Sequence, residues 1–356
     1  MRYLTGILVL AVLAILIGAG CERKIVNEVS TEPPPGSTAA CFTCHNDSDF
    51  GFALLAARQG YEVSKHGTTD TYNRNRNNSS RYTSCEACHT NEGFVAAVTG
   101  VPADGESFTR IGCFTCHQPH TTGSLQVRVK NAVTIGDGTV FDKGSANTCA
   151  SCHHALQNVN TYVKDDDSLS ERWGPHHGTQ TDMLLGTNGY EYSGFEYESG
   201  EHSTAPEGCI HCHMVNSVYA TGGHAFYLAD DENEYENVKG CNTGDPCHGG
   251  AVTELDYDGK QTEVANLLDD LAGLLVDAGL MEWVDDNGAL TLLPTERRVA
   301  TADSTGAVFN YLYVHDDASE GIHNPDYAVG LLESSIEFLA DKKAPTRDHN
   351  GLIAAH

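Results

Sequence analysis

The chain has 356 residues and a formal net charge of -28 at pH 7, from 21 Lys and Arg against 49 Asp and Glu. So acidic a surface repels phosphate backbones and excludes nucleic acid as a partner. Hydrophobic residues make up 40% of the chain and aromatic residues 8%. This content is lean for the length, so we expect a component other than side chains to supply part of the apolar core.

The first segment has the pattern of an export signal. Arg2 precedes an apolar run, and three small residues, Gly18 to Gly20, stand before Cys21. Residues 1–20 are therefore a predicted signal peptide, and Cys21 a predicted lipidation site that begins the mature chain. The alternative is an uncleaved anchor, because about 18 apolar residues can just span a bilayer. Residues 21–40, rich in proline, are predicted to form a flexible tether.

Five copies of the pattern Cys-x-x-Cys-His follow. This pattern is the attachment signature of c-type haem, in which two thiols bind the vinyl groups and the histidine ligates the iron. A zinc knuckle or a redox dithiol gives no reason for a histidine at the same place five times. The copies, numbered as motifs 1 to 5, are Cys41, Cys44 and His45; Cys85, Cys88 and His89; Cys113, Cys116 and His117; Cys149, Cys152 and His153; and Cys209, Cys212 and His213.

A sixth cluster has a wider spacer. Five residues separate Cys241 from Cys247, and His248 follows directly. We interpret this cluster as motif 6, a haem site with a widened spacer, which brings the predicted cofactors to six c-type haems. The alternative is a disulfide between Cys241 and Cys247, a bond that exported proteins tolerate.

Each iron needs a ligand on the face opposite the motif histidine. Twelve of the 18 histidines lie outside the motif ligand positions, and local context favours one for each haem. The start of a helix fixes the direction of the side chains beside it. His323 stands at such a start, which favours it as a distal ligand in particular. The most plausible substitute is His154. The candidate distal ligands are His66, His120, one of the pair His176 and His177, His202, His224 and His323.

The chain is predicted to be mainly α and loop-rich with little sheet, its core built around covalent haems. Residues 41–250 form the predicted multihaem domain, and residues 251–356 a helical segment that packs on it. A leucine stripe from Val264 to Leu275 has helical periodicity, and Asn324 and Pro325 mark the start of a second helix. Alternation within residues 124–142 predicts a short hairpin.

Several phrases resemble outer-surface multihaem cytochromes of metal-reducing bacteria, which are similar to the pentahaem nitrite reductase and octahaem oxidoreductase superfamily. They include GPHHGTQTDML, HSTAPEGCIHCHM and GIHNPDYAVGLLESS, and the resemblance spans most of residues 41–340. It implies distal ligand roles for His202, His224 and His323. The nitrite reductases also carry a Cys-x-x-Cys-Lys haem, and this chain contains no such motif, which argues against nitrite reduction.

Two functions remain open from the sequence. In the first, bis-histidine haems pass electrons to extracellular acceptors such as metal oxides or an electrode. The partners would be other c-type cytochromes or a porin-cytochrome conduit, and the lipid would hold the protein at the outer membrane and cell surface. In the second, one haem lacks a distal ligand and the chain is a reductase of an oxyanion or nitrogen compound. A periplasmic, membrane-anchored position is the alternative location.

Overall fold

The structure, a computed structural model, describes residues 49–69, 85–102, 108–118, 125–215, 223–230, 235–244, 247–286 and 289–343. These ranges belong to one compact unit, Asp47–His356. The predicted signal peptide, Cys21, the tether, motif 1 and His120 lie outside the described residues. Within the described ranges, no helix combines the length and hydropathy needed to cross a bilayer.

Short helices and long loops fill the first two thirds of this unit. Helix α4 shows how local sequence sets their ends: the Thr90 hydroxyl accepts from the Gly93 N–H at the start, and Gly100 adopts the left-handed conformation at the end. The helices in chain order are α1 (Asp49–Val63), α2 (Lys65–Thr68), α3 (Glu86–His89), α4 (Asn91–Thr99), α5 (Cys113–Cys116), α6 (Asn147–Ala150), α7 (Val159–Tyr162), α8 (Gln180–Leu185) and α9 (Cys209–His213).

The strands pair two by two. Pairs β1–β2, β4–β5 and β6–β7 are antiparallel hairpins, whereas β3 pairs with β8 across more than a hundred residues. In that last pair Asp167 faces Val299, so the segment beyond residue 251 hydrogen-bonds to the haem-motif region. The strands are β1 (Val133–Thr134), β2 (Val140–Phe141), β3 (Asp167–Ser168), β4 (Ala229–Asp230), β5 (Tyr235–Glu236), β6 (Met281–Asp286), β7 (Ala289–Pro294) and β8 (Arg298–Val299).

Three long helices carry most of the side-chain core. They are α10 (Lys260–Asp277), α11 (Ala302–Asp317) and α12 (Pro325–Lys343). Leu271 of α10, Phe309 of α11 and Leu331 of α12 are each fully buried in one cluster, which also contains Trp173 and Met183 from the haem-motif region. The C-terminal helices therefore pack on that region. The proposed boundary at residue 251 stays a prediction.

The predicted helices α10 and α12 are present, and Asn324 caps α12 by accepting the Tyr327 N–H at 3.4 Å. Helix α11 was not predicted, because it is buried on nearly all sides and therefore shows no polar face. The β6–β7 hairpin was not predicted either. The hairpin predicted within residues 124–142 occupies only the end of that range, because Val127 pairs instead with His117.

The observed architecture confirms a mainly α, loop-rich fold with little sheet. Close packing depends on small residues at defined points. A Cβ at Gly306 of α11 would lie 2.2 Å from the ring of Tyr190, so only glycine allows the loop to approach this helix. A second, smaller cluster of buried residues, Phe141, Ala146, Ala150 and Leu184, lies within the motif region.

Candidate haem-binding sites

Each regular motif in the described chain is built as one helical turn. The backbone N–H of its histidine bonds to the carbonyl oxygen of its first cysteine: His89 to Cys85 at 3.0 Å, His117 to Cys113 at 2.9 Å and His153 to Cys149 at 2.9 Å. Motif 5 forms helix α9. A single turn brings two thiols and one imidazole together, which is the arrangement that covalent haem attachment requires.

Motif 6 closes in the same way despite its wider spacer. The His248 N–H bonds to the Cys241 carbonyl oxygen at 3.0 Å. Cys241 and Cys247 are both free thiols in the structure. The extra residues therefore change the loop between the two cysteines, while the histidine keeps its relation to the first cysteine.

Five histidines from outside the motifs each face a motif histidine. The partners come from distant parts of the chain, so the pairing follows from the fold and not from local sequence. All five ring-centroid separations fall between 6.0 and 6.3 Å: His66 with His153 at 6.0 Å, His176 with His89 at 6.3 Å, His224 with His117 at 6.2 Å, His202 with His248 at 6.1 Å, and His323 with His213 at 6.0 Å.

These separations fit an iron bound by both rings. Imidazole nitrogens bind transition-metal ions at about 2 Å. With ring bonds of about 1.33 Å, the ring centre lies about 1.1 Å from each nitrogen. Two imidazoles on opposite sides of one metal ion therefore have centroids about 6 Å apart, by the same distances. The residues present thus suit bis-histidine haem.

The structure distinguishes the two histidines of the GPHHG sequence. His176 faces His89, whereas the His177 side chain is 85% exposed and its Nδ1 lies 3.2 Å from the Asp316 carboxylate. His176 has a φ of +73°, a left-handed conformation that costs a residue other than glycine about 1 kcal/mol or more. The strained turn points one histidine of the pair at motif 2 and its neighbour at solvent.

A second tight turn precedes His224. Gly223 has a φ of +67°, and a Cβ there would lie 1.9 Å from the Met214 carbonyl oxygen. Any side chain larger than hydrogen would push this loop away from the end of α9. The glycine therefore lets the chain bring His224 back toward motif 3, where it faces His117.

Hydrogen bonds from Nδ1 orient several of these rings. Three Nδ1 atoms contact backbone carbonyl oxygens: His117 with Leu125 at 2.6 Å, His202 with Ile322 at 2.5 Å and His213 with Phe226 at 2.7 Å. The Nδ1 of His153 lies 3.1 Å from the Gln180 side-chain oxygen, and that of His323 lies 2.6 Å from Asp317 Oδ1. Such contacts leave Nε2 of each ring as the metal-binding atom.

Burial keeps two of the rings in the form that binds metal. Desolvation lowers the pKa of His66 to about 4 and that of His213 to about 4. The positive charge of a neighbouring histidine contributes in both cases, His153 beside His66 and His323 beside His213. At neutral pH both imidazoles are therefore uncharged and able to donate a lone pair.

The motifs touch one another in a defined order. The Cys88 sulfur lies 3.9 Å from the Ser151 carbonyl oxygen, and the Cys152 sulfur lies 3.9 Å from the Ala87 carbonyl oxygen, so motifs 2 and 4 are in contact. Cys209 of motif 5 packs against the hydrophobic cluster that contains Ala150 of motif 4, so these two motifs are also neighbours. Nε2 of His211, inside motif 5, lies 3.7 Å from the Cys247 sulfur of motif 6. The attachment sites 2, 4, 5 and 6 thus follow one another in space.

Phe226, which was not among the predicted site residues, connects motif 3 to this series. Its ring lies edge-on to His66 at 5.4 Å and to His224 at 5.7 Å, the facing residues of motifs 4 and 3. Its carbonyl oxygen accepts from His213 of motif 5. The one available sequence signal was its place two residues after His224.

Asp317 and Gln180 were also not predicted, because two adjacent aspartates and a lone glutamine carry no sequence signal without their partners. His154, the named substitute, contacts the Ala155 carbonyl oxygen at 2.8 Å through Nδ1. The structure therefore brings together five of the six predicted distal candidates with five motif histidines. Motif 1 and His120 lie beyond its described part.

Comparison with known proteins gives one curated relative and one solved structure. The chain is 23% identical over 372 aligned positions to the C-type polyheme cytochrome OmcC of Geobacter sulfurreducens, covering 81% of this chain and 47% of that protein. The crystal structure of Outer Cell Wall Cytochrome OcwA aligns with a TM-score of 0.47 and 18% identity, over 80% of this chain and 50% of the other. The chain thus spans about half the length of each. No family model matches it.

The motifs and the curated relative lead to the same group of proteins. The relative is by its name a polyhaem c-type cytochrome, and the present chain carries repeated haem-attachment signatures of that type. Proteins of this group hold haem through thioethers and histidine ligands. The chain carries the attachment motifs of a multihaem c-type cytochrome and is similar to one.

Proposed function

We propose that this cytochrome carries six bis-histidine haems and conducts electrons from the cell envelope to extracellular acceptors such as metal oxides. A haem iron takes up and releases one electron. The observation that carries the proposal is the set of five facing histidine pairs, because two imidazoles per iron leave no site for a substrate. A conduit needs saturated irons, whereas a reductase needs an open one.

The order of contacts between motifs supports conduction. Motif 4 touches motif 2 through Cys152 and lies beside motif 5 at Ala150, and motif 5 touches motif 6 through His211. Phe226 lies between the facing histidines of motifs 3 and 4. We propose a branched series with motif 4 at the branch and motif 6 at one end. Electrons would enter and leave at different branches.

The charge and the predicted anchor support a role at the cell surface. The net charge of -28 favours cationic partners, such as basic cytochromes and metal ions, and disfavours anionic ones. We propose that Cys21 is lipidated and holds the chain at the outer membrane, where a porin-cytochrome conduit or another c-type cytochrome supplies electrons. Roles for His45 as the motif 1 ligand and His120 as its distal partner belong to the same proposal.

The first experiment is a pyridine haemochrome count with low-temperature electron paramagnetic resonance (EPR) of the oxidised protein, before and after cyanide. We expect six haems per chain, all low-spin and unaffected by cyanide. A high-spin signal that cyanide converts to low-spin would identify an open iron. That result would overturn the conduit and favour a reductase, with motif 1 as the site to test because the five other motif histidines are paired.

A further inference from the structure

The hydrogen bond to His323 differs in kind from those to four other paired histidines. His117, His202 and His213 contact backbone carbonyl oxygens through Nδ1, and His153 contacts a neutral amide oxygen. His323 instead directs Nδ1 at the carboxylate of Asp317, 2.6 Å away. A charged acceptor forms a shorter and stronger bond than a neutral one.

Asp317 is held in place for this contact. Its side chain is 0% exposed. Its second oxygen accepts a hydrogen bond from the Ser319 hydroxyl, and that hydroxyl in turn accepts the His323 backbone N–H at 3.2 Å. The three residues form a closed ring of hydrogen bonds. Neither carboxylate oxygen can turn away from the imidazole without breaking one of them.

A negative charge on Asp317 is energetically unfavourable at this location, so a compensating interaction is needed. Asp317 is the last residue of α11, where the negative end of the helix dipole opposes a negative charge. Burial of an ionised carboxylate is also unfavourable unless a partner compensates for it. Here the partner is the imidazole N–H of His323, which faces motif 5.

We propose that Asp317 is a positioning and tuning residue that lowers the reduction potential of the haem attached at Cys209 and Cys212. This inference rests on the proposed function, in which His213 and His323 are the axial ligands at that site. A carboxylate that accepts the Nδ1 proton makes Nε2 a stronger donor, and a buried negative charge nearby favours the more positive ferric iron. Both effects oppose reduction.

The position of motif 5 gives the tuning a consequence for conduction. Cys209 of motif 5 packs against the cluster that contains Ala150 of motif 4, and His211 joins motif 5 to motif 6. A lower potential at motif 5 therefore places an energetically uphill step between the branch site and the end site. Gln180 adds a direct link, since its amide N–H donates to the Asp317 carbonyl oxygen at 3.2 Å while its oxygen contacts His153.

The test compares Asp317→Asn with Asp316→Asn in the full haem-loaded protein. Asparagine keeps the shape of Asp317 and can still accept from His323, but it lacks the charge. Asp316 is the matched control, because it is the neighbour of Asp317 in the chain and its carboxylate contacts the exposed His177 and His315. The readouts are EPR spin state and a spectroelectrochemical titration.

In Asp317→Asn we expect one haem to become easier to reduce by about tenfold in equilibrium constant, similar to the smaller losses of metal affinity when a ligand's hydrogen-bond partner is removed. A tenfold change corresponds to about 59 mV for one electron. All haems should stay low-spin, Asp316→Asn should shift that haem less, and Asp317→Glu should restore the low potential. Equal shifts in the two asparagine variants, or a high-spin haem in Asp317→Asn, would overturn the tuning role.

His323→Ala separates this inference from the proposed function. If His323 is an axial ligand, this variant gains one high-spin haem that binds cyanide. If every haem stays low-spin in His323→Ala, the ligand pairing itself is wrong and the inference about Asp317 falls with it. If the high-spin haem forms but Asp317→Asn leaves the potential unchanged, the pairing stands and the tuning is wrong.

Discussion

His202 and His248 face each other with ring centroids 6.1 Å apart and planes inclined at 70°. The pair forms even though motif 6 has five residues between its cysteines. The His248 ring is also packed edge-on against Tyr257 at 4.9 Å, which fixes its position independently of the spacer. A widened loop is therefore compatible with an axial pair like those of the regular motifs.

The first prediction concerns attachment at motif 6. If Cys241 and Cys247 hold a haem by thioethers, neither will react with iodoacetamide after the native chain is denatured and reduced. The variant Cys241→Ser/Cys247→Ser is expected to lose the mass of one haem, measured on the intact denatured protein. Alkylation of both cysteines only after reduction, with no loss of haem mass in the variant, would instead show a disulfide.

The elements that the sequence predicted well are those whose signal is local. The motifs, the stripe of α10 and the cap of α12 each occupy a short stretch of chain. Other contacts of the rings join residues that are distant in sequence: His202 contacts Ile322, and His66 faces His153. Helix α11 was missed because burial on all sides removes the periodicity that identifies a surface helix. Long-range contacts of this kind depend on tertiary packing, which a single sequence does not encode locally.

The second prediction separates His176 from its neighbour. His176→Ala removes the ring that faces His89, so it should create one high-spin haem that binds cyanide. His177→Ala is the matched control and should leave every haem low-spin, because that side chain is 85% exposed beside Asp316. EPR of the two oxidised variants measures the difference.

The EPR line shape adds a further check on the same variants. The rings of His89 and His176 are inclined at 88°, whereas those of His117 and His224 are inclined at 38°. Nearly perpendicular imidazoles leave the iron orbitals almost degenerate, which gives a strongly anisotropic low-spin signal. His176→Ala should remove such a signal. Loss of a rhombic signal, or a high-spin haem in His177→Ala, would reverse the assignment.

The third prediction tests the role of Phe226 between the haem sites. Phe226→Ala removes the ring that packs against His66 and His224. Truncation of a fully buried phenylalanine to alanine lowers the free energy of unfolding by about 3 to 5 kcal/mol. For this partly buried ring we expect a loss of about 2 kcal/mol. Urea unfolding followed by Soret absorbance measures it. Phe195→Ala, at a side chain 37% exposed, is the control, and an equal loss in both would contradict a special role for Phe226.

The fourth prediction concerns the pH dependence that Asp182 contributes. This residue is fully buried in α8, where Oδ2 accepts from the Ala155 N–H at 2.7 Å and Oδ1 accepts from Asn188 Nδ2 at 2.9 Å. Desolvation outweighs these bonds and raises the pKa of the Asp182 carboxyl from 3.8 to about 6. The fold therefore favours the protonated acid more than the unfolded chain does.

The sign of the effect follows from the order of proton release. As pH rises, the unfolded chain loses the Asp182 proton near 3.8 and the folded chain loses it near 6. The stabilisation is thus fully present below the unfolded value and disappears as pH rises through the folded one. At about 1.36 kcal/mol per pKa unit, the free energy of unfolding should fall by at most about 3 kcal/mol across this window.

Asp182→Asn isolates this contribution, because asparagine does not titrate. The difference in unfolding free energy between the native chain and this variant should be largest near pH 4 and shrink toward pH 7. Asp270→Asn, on the exposed side of α10, removes a charge of the same kind and should give a difference that varies less with pH. Urea titrations at several pH values measure both. If the difference between the native chain and Asp182→Asn stays constant from pH 4 to 7, burial does not shift the pKa of this carboxyl.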